Sequence, residues 1–130
     1  MFDYSDLIGV PFTNRGRDVS TGLDCYGLVM EVFRRQGIDL PEFWISCKDA
    51  SRINQTAEEE KKSGRWIRLE KPQVPCLIYL RFNEFKWNHV GVYVGNGRFV
   101  HTAETTGVRK ERLDHPYWRN RIEGFYIPAR

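Results

Sequence analysis

Cys25, His89 and His101 are the side chains of this 130-residue sequence whose types and spacing could carry covalent chemistry. A thiol that gives up its proton is a nucleophile, an imidazole can take that proton and later return it to a leaving amine, and a second polar ring can fix the first ring's tautomer. Together the three would cut an amide through a thioester. Spacing alone leaves two other readings open. A partly buried cysteine is commonly a small packing residue, and a histidine is commonly structural. A zinc site built from Cys25, His89, His101 and Cys76 would lack the short C-x-x-C or H-x-x-x-H pairs that such sites favour. Cys47 and Cys76 read as packing residues, and His115 as a loop residue.

One helix and one hairpin must position the three groups. From Cys25 onward Leu28, Val29, Val32 and Phe33 recur at helical intervals, which predicts a helix to about Gln36, ended by Gly37. Asp24 stands where a carboxylate can cap the opening N–H groups, and those groups with the helix dipole would favour thiolate at Cys25. Strand-like runs follow at 66–69, 76–82, 90–94, 98–102 and 122–127, with Gly95-Asn96-Gly97 as a hairpin signal. A strict two-residue loop would turn the two histidines to opposite faces. A three-residue loop with a glycine bulge would bring His89, Gly91, Tyr93, Phe99 and His101 to one face and leave Val90, Val92, Val94 and Val100 on the other. We expect the bulged form.

Elsewhere, residues 3–9 suggest a short helix and 13–22 a polar loop at the rim of the site. Residues 49–62 read as a polar helix with a solvated face, including a Glu58–Lys62 pair. Helices first and an antiparallel sheet after them define an α+β class, in a single domain over 1–130. The net charge of +3 is scattered rather than striped, so a nucleic-acid partner is not implied. Three unpaired cysteines argue against a disulfide framework. The N-terminus shows neither a basic segment nor an apolar run, so neither a signal peptide nor a membrane span is expected, and synthesis would be cytoplasmic.

The segment Gly22 to Val29, the run His89 to Gly97 and the triplet Phe99-Val100-His101 resemble, in that order, the motifs of the NlpC-type cell-wall cysteine peptidases, a circularly rearranged papain-like group. The resemblance implies a papain-like NlpC-type fold with N-terminal helices on an antiparallel sheet. It also implies Cys25 as nucleophile, His89 as general base and acid, His101 as orienting residue, and no cofactor. The implied partner is the peptide stem of peptidoglycan, commonly cut between D-glutamate and a diamino acid. The C-terminal run from Val108 to Tyr126 resembles the phage and prophage tail-tip branch, which implies other tail-tip proteins as partners and delivery to the wall by the virion. A structural tail-tip protein and an amidase or acyltransferase remain the alternatives. Departures from the family pattern mark Tyr26, where a small residue is usual, and Phe12, where a tyrosine hydroxyl could assist the oxyanion. With Asp24 these are the candidate substrate-binding residues. Pro75-Cys76 stands in place of the usual Gly-Asp pair.

Overall fold

Asp24 begins the helix that carries Cys25 by accepting the Gly27 N–H at 2.7 Å, and that helix, α1 (Cys25–Arg35), closes through Gln36 onto Gly37. The computed structural model describes residues 3–83 and 86–129, and the side chains of all of these except 82, 83 and 86–88. Met1 and Phe2, where the export expectation starts, lie outside the described residues. The inner face of α1 is Leu28, Val29, Val32 and Phe33, all with no exposed surface. Each such burial is worth about 1.5–3 kcal/mol, so this stripe is what seats the helix. It packs in one core with Val92 and Val100 of the sheet and with Leu7 of a single 3₁₀ turn, Ser5–Leu7.

The loop expected at 13–22 contains a small antiparallel ribbon, β1 (Arg17–Asp18) with β2 (Gly22–Leu23). Its strands are too short to show a period in sequence. The ribbon lies so close to α1 that a Cβ at Gly27 would stand 2.1 Å from the Gly16 carbonyl oxygen. That approach explains the glycine two residues after the cysteine.

Six strands form the main sheet: β3 (Trp66–Leu69), β4 (Cys76–Asn83), β5 (Lys86–Gly95), β6 (Arg98–Ala103), β7 (Gly107–Arg112) and β8 (Ile122–Pro128). Their order is β3-β8-β4-β5-β6-β7, with every neighbouring pair antiparallel. The arrangement is α+β, with helices packed on an antiparallel sheet. β5 begins before the expected Val90, and β7 was not expected at all. As an edge strand, β7 carries Arg109, Lys110 and Arg112, and those charges hide its period.

The hairpin reaches the expected faces by another route. Gly95 pairs with Arg98 across a two-residue turn in which Asn96 and Gly97 both have positive φ, 54° and 71°. This is the primed turn that suits strand twist. The extra residue sits inside β5, where the register shifts between Tyr93 and Gly95, and beyond it Tyr93 pairs with Phe99 and Val92 with Val100. The bulge restores parity, so His89 and His101 share a face.

The second helix, α2 (Ala50–Lys62), is capped by Asp49 and departs from the solvated-face expectation. Glu60 is buried and Ile53, Thr56 and Ala57 are half-buried, because this helix closes one side of a cleft. Its Glu58 pairs with Lys61, at 2.8 Å, and not with Lys62 as expected.

Candidate active site

Cys25 is the first residue of α1, and the backbone N–H groups of Val90 and Tyr26 lie where they act favourably on a charge at its sulfur. The strand residue that acts on the thiol is thus the one directly after His89. His89, on the same strand, has its Nε2 3.0 Å from His101 Nδ1, with the rings nearly perpendicular at 84°. His101 Nε2 lies 3.0 Å from Glu111 Oε2. The two histidines sit diagonally on neighbouring strands, two positions out of direct register, which is within reach for rings. Both are 4% exposed. Trp118 covers them, its ring 4.8 Å from that of His101 and 6.5 Å from that of His89.

Sequence reasoning missed Glu111 and Trp118. Reading β7 as a hairpin partner of β6 would have found Glu111, since His101 pairs with Arg109 and the residue two further on shares its face. Trp118 lies in the turns after β7, and no periodic signal marks it.

The cleft beside the thiol has a volume of about 230 Å³. Cys25 and His89 both line it, as do Phe12, Asp24 and Tyr26, while His101 stands behind His89 and outside the lining. Phe12 is half-buried on the wall and brings no hydroxyl. Asp24 Oδ1 is held by Arg17 at 2.6 Å and by the Gly27 N–H, so its visible work is to anchor the helix start. Tyr26 donates its hydroxyl to the Pro41 carbonyl at 2.5 Å and packs its ring 5.2 Å from that of Phe43. Cys47, expected in packing, instead lines the cleft with its sulfur 3.7 Å from Glu104. Cys76 is fully buried in β4, away from the cleft lining.

Burial governs the protonation states. It pushes the Cys25 thiol up to about 12, with the charge of Asp24 adding to the effect and the Val90 and Tyr26 N–H groups and Arg17 pulling the other way. Burial, with His101 beside it, drives His89 down to about 3. His101 is also lowered by burial, against which the Glu111 carboxylate acts. At Cys25, which is half-buried at the cleft, desolvation thus opposes the thiolate expected from the helix start. Both groups favour their neutral forms at rest, so a sulfur attack in this cleft would have to release its proton as the bond forms. Among the described residues no group of three His, Cys, Asp or Glu side chains could hold a metal ion. Nor is any helix among them long and apolar enough to cross a membrane.

A thiol at a helix start with a buried imidazole pair in the same cleft has the groups that nucleophilic amide chemistry needs, and the fold around them is shared with NlpC/P60 domains. Residues 9–126 match the model of the NlpC/P60 family, and the chain belongs to that family. It is 30% identical over 122 residues to the murein DD-endopeptidase MepS/murein LD-carboxypeptidase of Escherichia coli K12, covering 93% of this chain and 57% of that one. It is 29% identical to the bifunctional muramidase/DL-endopeptidase CwlT of Bacillus subtilis, covering 90% of this chain and 32% of that protein. The chain thus spans about a third to just over half of these relatives. Among solved structures, a lipoprotein-like NLP/P60 family protein of Staphylococcus aureus Mu50 superposes with a TM-score of 0.63 at 25% identity, over 95% of this chain and 38% of that one. The NlpC/p60 domain of the peptidoglycan hydrolase SagA shares the fold, with a TM-score of 0.57 at 18% identity over 95% of this chain and 90% of that one.

Proposed function

We propose that this domain is a cysteine peptidase that hydrolyses the peptide stems of peptidoglycan, with Cys25 as nucleophile, His89 as general base and acid, and His101 as its orienting partner. The observation that carries the reading is the buried His89–His101 bond at the cleft that Cys25 and His89 line together. The names of the relatives, a murein DD-endopeptidase and a DL-endopeptidase, support the substrate class.

In this reaction His89 takes the thiol proton as the sulfur attacks a stem carbonyl, and N–H groups opening α1 face the oxyanion. The imidazolium returns its proton to the leaving amine, and water, activated by the same ring, then cleaves the thioester. Phe12, Asp24 and Tyr26 shape the cleft in which the stem lies. The bond between D-glutamate and a diamino acid is the first to test, on the family resemblance, followed by the D-alanyl crosslink. We place the enzyme in the tail tip of a phage or prophage, among other tail-tip proteins, on the resemblance of its C-terminal run.

Digestion of purified peptidoglycan, with muropeptide products resolved by mass, tests the reading. Release of stem fragments by the wild type and none by Cys25→Ala supports it. No release by either leaves the structural tail-tip role ahead, and product formed only with an added amine acceptor identifies an acyltransferase.

A further inference from the structure

We propose that Glu111 is a positioning residue of this site: it fixes the tautomer of His89 by acting through His101. The proposal rests on the assignment of His89 as the base for Cys25. The middle bond of the array, His89 Nε2 to His101 Nδ1 at 3.0 Å, is satisfied equally well in two ways. Either His89 donates and His101 accepts, or the reverse, because each neutral imidazole has one N–H and one lone pair. In the first arrangement His89 keeps the lone pair on Nδ1 and can accept a proton. In the second its Nδ1 carries hydrogen, and the ring has no lone pair left for the thiol.

The far end of the array distinguishes the two. An ionised carboxylate accepts and never donates, so Glu111 Oε2, 3.0 Å from His101 Nε2, requires the hydrogen of His101 to be there. His101 Nδ1 is then an acceptor, His89 Nε2 a donor, and the lone pair of His89 stands on Nδ1. The fold holds Glu111 to this task. The β6–β7 register pairs Phe99 with Glu111 and His101 with Arg109, so Glu111 is the diagonal neighbour of His101, and its side chain is only 17% exposed. The groups acting on His101 are His89 from β5, Glu111 and Arg109 from β7, and the uncharged ring of Trp118. Of these only Glu111 brings a negative charge, which also steadies the imidazolium formed when His89 takes the proton.

The test compares wild type with Glu111→Ala and Glu111→Gln, and two of its readouts need no substrate. Imidazole ¹⁵N spectra report the tautomers of His89 and His101, and iodoacetamide alkylation at neutral pH reports the help Cys25 receives from its base. The expected wild-type result is Nε2–H on both rings. Glu111→Ala should mix the tautomers of both rings and slow alkylation of Cys25 about tenfold. On muropeptides it should lower kcat roughly 10- to 100-fold with KM little changed, the usual scale for loss of a group that orients a working residue. Glu111→Gln, whose amide oxygen can still accept, should recover much of this. The proposal is overturned if Glu111→Ala leaves both rings Nε2–H with alkylation unchanged. It is also overturned if activity falls only in step with the melting temperature while the tautomers stay fixed. If the tautomers and alkylation respond but the wild type cuts no peptidoglycan, the positioning role holds and the substrate assignment fails.

Discussion

Two of the walls of the cleft are built on different principles. On one side Cys25 and His89, with His101 and Glu111 behind, are placed by backbone: a capped helix start and the registers of β5 with β6 and of β6 with β7. On the other, residues 42–47 have no regular structure and are held by side chains. Arg17 forks onto Glu42 at 2.7–3.1 Å and lies 5.5 Å from the Trp44 ring, and Asn14 bonds the Ser46 hydroxyl and the Cys47 N–H. A one-residue slip in a strand would turn a histidine to the other face, whereas a lost side-chain clasp lets a loop shift by degrees. The residues we propose for the chemistry are thus mounted on the wall that can only be right or wrong, and the wall that can give has room to adjust to what enters.

Breaking the first wall at its reacting atoms should have the largest effect. Cys25→Ala and His89→Ala should each lower kcat/KM on muropeptides roughly 10⁴-fold or more, without a change of fold by circular dichroism. An equal and small loss from both would mean that the cleft works by some other route. Next comes Gly27→Ala, where the new methyl would meet the Gly16 carbonyl at 2.1 Å, so the start of α1 or the ribbon must move. It should lose about 2–4 kcal/mol in urea unfolding and most of its activity, although the residue touches no substrate.

Acid offers a milder way to load the same wall. His89 titrates near 3 in the fold and near 6.5 when unfolded, so as pH falls through that window the unfolded chain takes up the proton first. Stability from this group is whole above about pH 6.5 and drains away toward pH 3, with about 2 kcal/mol lost by pH 5. His101, also lowered, adds in the same direction. Melting temperatures measured from pH 7 to 5 should fall by several degrees, and the slope should flatten in His89→Gln. A flat wild-type profile would show that the histidines are not held neutral.

The same contrast explains what could be read from the chain. The apolar stripe of α1, its Asp24 cap and the turn at Asn96-Gly97 are local, so the positions of Cys25, His89 and His101 were legible in one dimension. The bulge lay within β5 and not in the loop, but parity needs only one extra residue, wherever it falls. Glu111 was hidden because an edge strand with one solvated face shows no clean alternation. The cleft wall from α2 was hidden because Glu60 is buried by its bonds to Trp66 and Arg65, side chains beyond the helix, which no charge run announces.

The mildest change should be the most informative about the second wall. Glu42 is exposed over 42% of its side chain and its carboxyl is held below the usual range by the Arg17 fork, yet among the described residues it bonds neither α1 nor the strands that carry the two histidines. Glu42→Ala frees residues 42–47 on one side and leaves Arg17 still bonded to Asp24. An exposed ion pair contributes under about 1 kcal/mol, so melting should barely change. If the wall serves fit and not chemistry, KM for muropeptides should rise a few-fold while kcat and the alkylation rate of Cys25 stay near wild type. A fall in kcat with KM unchanged would mean that the clasp reaches the nucleophile through Arg17 and Asp24, and the two walls would have to be treated as one device.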